Sequence, residues 1–155
     1  MLQHAAFLDN PVAPHGILSL QMTYMAKDAR AILSSWSHTD AQHAVASLYW
    51  DTGFAIAYGW FLSALTRSCL HTGSRFARLT AWVPILAAIA DLAENLCHLM
   101  LLGTAHNGME SVANVLVLAG FVFATSKWGL LASWSVLFIS GLCGTIFSRA
   151  VRKSN

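Results

Sequence analysis

Polar and apolar positions divide this chain into two regimes. Up to about residue 43 they are mixed; from residue 44 onward apolar residues run almost unbroken between short polar junctions. In the first regime Asn10, Pro11, Pro14 and Gly16 specify a loop, because proline and glycine punctuate regular structure. The run Ile17-Leu18-Ser19-Leu20-Gln21-Met22 is too short to decide between strand and helix. Beyond Tyr24 the period becomes helical. Ala29, Ile32, Leu33 and Trp36 fall at i, i+3, i+4 and i+7 and form one apolar stripe, with Lys27, Asp28 and Arg30 off it. Such a helix rests on a membrane surface or on its own domain, and the pattern serves both equally. Ser37-His38 interrupts it. Thr39-Asp40-Ala41-Gln42 then fits the capping pattern S/T-x-x-E/Q, so the next helix is expected to start there and run to about Thr66.

The second regime holds four apolar runs: Ala44–Leu65, Leu79–Leu102, Met109–Thr125 and Leu130–Phe147. Runs of roughly 17–25 residues match the thickness of a bilayer's hydrocarbon core. The junctions are a stretch with Arg67, Gly73, Arg75 and Arg78, the turn Gly103–Gly108, and Ser126-Lys127-Trp128-Gly129. The pattern therefore predicts an all-α integral membrane bundle of about four transmembrane helices. Residues 1–43 form an extracytoplasmic, amphipathic segment, 44–148 the transmembrane helical domain and 149–155 a basic tail.

Composition strengthens this picture. Of the 155 residues 56% are hydrophobic and 10% charged, where soluble domains carry roughly 25% charged residues. Mean hydropathy is +0.55. Too few charges remain to cover a water-facing surface, and intrinsic disorder needs the opposite composition. Nine basic against seven acidic residues, with no basic stripe, speak against a nucleic-acid partner. Cys69, Cys97 and Cys143 lack the spacing of a thiolate metal site, and none of the seven histidines forms a paired metal motif. No metal and no cofactor is expected. Residues 1–20 lack the basic, apolar and small-residue regions of a signal peptide.

Charge also sets an orientation. Arg67, Arg75 and Arg78 belong on the cytoplasmic side, the Lys/Arg-free turn after the second run outside, and residues 1–43 outside. Four crossings would then leave Arg149, Arg152 and Lys153 outside, against the same rule. Lys127 reads as a residue of the inner-side junction, its ammonium reaching the interface; the alternative, a buried counter-ion for the acids, is opposed by its place on the inner side while the acids lie in the outer half. Trp50, Trp82 and Trp128 lie near run ends as an aromatic belt would place them, whereas Trp60 and Trp134 lie deeper and are expected to pack. Ser140, Gly141 and Gly144 would admit a closely approaching helix.

The chemistry concentrates in the second run. Asp91, Glu94, Asn95 and His98 fall at i, i+3, i+4 and i+7, so they share one helix face, while Ile85, Ile89, Leu92, Leu96 and Leu99 occupy the other side. An ionised group in mid-bilayer costs about 2.5–3.5 kcal/mol even on the lenient scale, so that face must turn inward. In the first run Asp51, Phe54 and Tyr58 fall at i, i+3 and i+7. At about 1.5 Å per residue from the outer ends Ala44 and Leu102, Asp51 and Asn95 both come about 10 Å deep and His98 about 6 Å. Contacts of Asp51 with Asn95 or His98, and of Tyr58 with Asp91 or Glu94, are expected.

Asp51, Tyr58, Asp91, Glu94 and Asn95 are thus the candidate ligand-binding residues, for a small polar or cationic ligand or a lipid headgroup. Two further readings remain open. The same groups could only fasten helices together in an accessory subunit of a membrane complex. Alternatively, Asp91 and Glu94 could act as an acid–base pair of a membrane enzyme, although no nucleophile, metal or phosphate motif accompanies them. Membrane lipids are the expected surroundings; an oligomeric or complex partner is not specified by the sequence.

The elements Ala13-Pro14-His15-Gly16-Ile17-Leu18-Ser19-Leu20-Gln21, Ala31-Ile32-Leu33-Ser34-Ser35-Trp36, Asp51-Thr52-Gly53-Phe54 with Tyr58, Asp91-Leu92-Ala93-Glu94-Asn95 and Lys127-Trp128 occur in this order. Together they resemble a family of small, uncharacterised, multi-pass bacterial inner-membrane proteins with DxxFxxxY and DLxEN motifs. The resemblance covers Ala13 to about Leu130 and implies a bacterial inner (plasma) membrane location, with no activity attached. Gln21 stands where the family pattern has Glu. The family pattern also implies a transmembrane helix ahead of the Pro-His-Gly element, for which this chain begins too late.

Overall fold

The computed structural model describes residues 8–70, 74–104 and 110–154, with side chains for 8–70, 74–104 and 112–147. Every regular element among them is an α-helix: α1 (Ile17–Gln21), α2 (Ala26–Ser35), α3 (His38–Cys69), α4 (Arg75–Thr104) and α5 (Glu110–Ser154). The expected turn at Gly73 and most of the turn 103–108 lie outside the described residues. The chain divides into two compact units, residues 1–54 with 90–125 and residues 55–89 with 126–155.

The first unit contains the N-terminal segment. Asn10 closes a turn by accepting the backbone N–H groups of Val12 and Ala13 on Oδ1, at 2.9 and 2.8 Å. Gly16 then enters α1 at φ 54°, a left-handed conformation that favours glycine. Ala29, Ile32 and Trp36 of the apolar stripe are buried and Leu33 is packed against them, while Lys27, Asp28 and Arg30 are exposed. The stripe covers a core built with Leu8, Ala13, Leu20, Ala44, Leu101 and Val117. The amphipathic helix therefore rests on its own domain.

The start of α3 differs from expectation by a short shift. The capping box is Ser37-His38-Thr39-Asp40: Ser37 N donates to Asp40 Oδ2 at 2.8 Å and Asp40 N donates to Ser37 Oγ at 3.2 Å. The helix starts at His38 because this pair satisfies two N-terminal amides at once. Hydrogen bonding of the Asp40 carboxyl to the Ser37 side chain and, next, to the Ser37 backbone N–H holds it below its ordinary range.

In the second unit α3 and α4 meet at small residues. A Cβ on Gly59 would lie 2.7 Å from Ala88 Cβ and 3.4 Å from the Pro84 carbonyl oxygen. Trp134 of α5 donates its indole N–H to Thr66 Oγ1 at 2.9 Å and stacks on Phe138. Gly141 seats Phe76 and Leu70, which a Cβ there would meet at 2.8–3.0 Å.

The largest correction concerns α5. The expected third and fourth runs are one helix of 45 residues, with no break at Ser126-Lys127-Trp128-Gly129. Gly129 costs a helix about 1 kcal/mol relative to alanine. A break would leave several N–H and C=O groups without partners between two apolar stretches, which is far costlier. Lys127 is accordingly a helix-interior residue, 7% exposed, with its ammonium 5.6 Å from the Trp128 ring centre. It is not the junction residue that the sequence implied.

Among the described residues, two helices are long and apolar enough to cross a membrane, Arg75–Thr104 and, within α5, Val112–Phe147. The all-α expectation holds, and a bundle of four spans is not confirmed. α3 is not among the two, because Tyr49, Trp50, Asp51, Tyr58 and Trp60 dilute its apolar run.

Candidate functional site

The polar face of α4 lies in the first unit and is turned inward. Asp91, Glu94, Asn95 and His98 are 3%, 0%, 1% and 2% exposed, whereas Ile89 and Leu96 on the opposite side are more than half exposed. Spacing alone placed these four on one face. Their burial follows because each carries hydrogen-bonding or charged groups that an apolar exterior cannot satisfy.

Asn95 joins α4 to α3. Its Nδ2 donates to Asp51 Oδ2 at 3.1 Å, the contact expected from matching depths in antiparallel helices. The other end of the same amide is different: Asn95 Oδ1 is fully buried, and no donor among the described residues reaches it. A buried acceptor in that state costs about 1–3 kcal/mol unless a donor is supplied.

His98 is fixed at both edges. Its Nδ1 is 2.9 Å from the carbonyl oxygen of Glu94, one turn earlier. A carbonyl can only accept, so Nδ1 carries the proton and donates. The far edge of the ring faces α5, where a Cβ on Gly120 would lie 3.1 Å from Cε1 and 3.2 Å from Nε2. Gly120 is thus a residue of the site that the sequence reading missed. A lone glycine inside a long apolar run gives no signal of which side chain it accommodates.

The other candidates divide. Asp51 is half-buried within the first unit, beside Asn95. Phe54, expected on the same face, is 56% exposed. Tyr58 is half-buried and belongs to the second unit. Trp60, expected to pack, is 75% exposed, while Trp134 does pack.

Charge is partitioned between the units. All seven acids (Asp9, Asp28, Asp40, Asp51, Asp91, Glu94 and Glu110) fall in the first unit, with Lys27 and Arg30 as its basic residues. The second unit has no acid and seven basic residues, Arg67, Arg75, Arg78, Lys127, Arg149, Arg152 and Lys153. Of the seven acids, Asp91 and Glu94 belong to the buried cluster itself, with Asp51 beside Asn95.

No family profile, no curated protein and no solved structure matches the chain. The order of short motifs remains a resemblance and assigns no activity.

Proposed function

We propose that the chain is a multi-pass integral membrane protein that binds a small cationic, hydrogen-bond-donating group at the buried cluster of Asp51, Asp91, Glu94 and Asn95. The observation that carries this reading is the buried Asn95 Oδ1, to which no donor among the described residues extends, on a side chain whose other end is already held by Asp51. An ammonium group supplies several donors and a charge of the sign that the surrounding acids favour.

Membrane insertion is supported by the two apolar helices and by the large apolar side chains exposed along the helices, among them Leu79, Leu96, Val115, Val136, Ile139 and Phe147. With α5 as one helix, three crossings by α3, α4 and α5 satisfy the charge rule throughout. Residues 1–43 lie outside, and Arg67, Arg75, Arg78, Arg149, Arg152 and Lys153 share the cytoplasmic side. The conflict at the C-terminus belonged to the four-crossing reading. The apolar stretch Val112–Phe147 has 36 residues, or about 54 Å against a hydrocarbon core of about 30 Å. Its excess has a covering, since Ala113, Leu116 and Val117 pack on the N-terminal core.

The test is thermal unfolding of the protein in nanodiscs, titrated with ethylammonium chloride and with sodium chloride as ionic-strength control. Stabilisation by ethylammonium alone is expected, and Glu94→Gln abolishes it while the variant stays helical. No response of the native chain beyond that to sodium would leave the cluster as a helix-fastening network. The Asn95–Asp51 bond between α3 and α4 is the observation that favours that second reading.

A further inference from the structure

A groove of about 350 Å³ lies on the second unit, lined by Trp60, Ser63, Ala64 and Arg67 of α3 and by Trp82 and Ile85 of α4. The four α3 residues fall at i, i+3, i+4 and i+7, so the groove follows one helix face from an indole to a guanidinium. Trp60 and Trp82 are 75% and 52% exposed. Two indoles left open on a helix surface are suited to the boundary between acyl chains and headgroups, where the ring is apolar and its N–H can donate. Arg67 closes one end and is exposed. Arg78 precedes Trp82 by four residues on α4, so the same end of that helix carries a second guanidinium. From Trp60 to Arg67 the helix rises about 10 Å.

The charge partition decides the occupant. The second unit contains no acid of its own. Arginine forms paired hydrogen bonds to phosphate and remains charged at any working pH. We propose that this groove is a binding site for an anionic glycerophospholipid, its phosphate on Arg67 and the first part of one acyl chain between Trp60 and Trp82. The site is separate from the cluster around Asn95 and rests only on the reading of the chain as membrane-embedded.

The experiment reconstitutes the full chain in phosphatidylcholine nanodiscs that contain equal mole fractions of either acyl-brominated phosphatidylglycerol or acyl-brominated phosphatidylcholine. Bromine quenches nearby tryptophans. The signal of the native chain minus that of the Trp60→Phe/Trp82→Phe variant isolates the groove. Local enrichment of the brominated anionic lipid by about fivefold is expected, the factor that one basic residue near an anionic lipid provides. Arg67→Gln removes the preference and Arg67→Lys retains part of it; helicity is unchanged in both, since the side chain is exposed. Should the paired tryptophan variant fail to fold, the Arg67→Gln comparison on the native tryptophans serves alone. Equal quenching by both lipids overturns the proposal, as does a preference that survives Arg67→Gln. A preference erased by inorganic phosphate at constant ionic strength also overturns it, because the site would then take free phosphate. Absence of quenching by either lipid, at the exposed Trp50 and Trp128 as well, would instead remove the membrane reading beneath it.

Discussion

Gly59 and Gly53 lie on the same helix, six residues apart, and one substitution separates their roles. Alanine at either position gains helix propensity of about 1 kcal/mol. At Gly53 nothing stands within 4 Å of the added Cβ, so Gly53→Ala should stabilise by about that amount. At Gly59 the new Cβ meets Ala88 Cβ at 2.7 Å and the Pro84 carbonyl oxygen at 3.4 Å. Carbon atoms rest at about 3.5–4.0 Å, so the two helices must separate by about 1 Å. The neighbouring groups are a Cβ and backbone, with no flexible end to swing away. Forced separation of this kind costs about 1–3 kcal/mol. Against the propensity gain, Gly59→Ala should destabilise by about 1 kcal/mol, leaving a gap of about 2 kcal/mol between the two variants. Equilibrium unfolding in mixed micelles, followed by circular dichroism, reads the difference. Propensity cancels in the comparison, so the gap reports the contact alone. Ala88→Gly should restore the approach, with a coupling energy of about 1–2 kcal/mol in the double-mutant cycle. Equal stabilisation by Gly53→Ala and Gly59→Ala, or additivity of Gly59→Ala with Ala88→Gly, would refute the close packing of α3 on α4.

Three other outcomes are expected. A fluorescent protein fused to the C-terminus should fold on the cytoplasmic side of bacterial cells, as three crossings require, whereas a periplasmic reporter active at that position would restore the four-crossing topology. Asp51→Ala should cost about 1–2 kcal/mol, because Asn95 loses the acceptor for its Nδ2; a cycle with Asn95→Leu that gives no coupling would refute the bond. Asp40 is held below its ordinary range by Ser37, so its contribution to stability is present above the unfolded carboxyl value of about 3.9 and is lost as pH falls through the lower folded value. Ser37→Ala should raise the Asp40 titration midpoint measured by NMR, and an unchanged midpoint would assign the shift to another group.

Much of the site was legible before any coordinates. Asp91, Glu94, Asn95 and His98 had to share a face because their spacing matches the helix period, and that face had to turn inward because they are polar in an apolar run. The Asp51–Asn95 contact followed from counting residues along two antiparallel helices. Phe54 was misplaced by the same count, since i+3 lies at the rim of a helix face and small rotations turn the rim outward. The capping box was found in the right neighbourhood but at the wrong residues, because the S/T-x-x-E/Q pattern picks out Thr39 with Gln42, whereas the box that forms pairs Ser37 with an aspartate, Asp40.

By itself, then, the sequence determined what is local: helical period, the apolar stripe of α2, the polar face of α4 and the clustering of acids within apolar runs. Periodicity and desolvation act over a few turns, and no distant segment is needed to evaluate them. Tertiary structure alone decided the continuity of α5, the burial of Lys127, the exposure of Trp60 in a groove and the glycines that receive His98 and Ala88. It also decided that acids and most bases gather in different units. These depend on which chain-distant surface covers each helix face. A pattern of apolar positions states that a face must be covered, and the packing of complementary shapes determines by what.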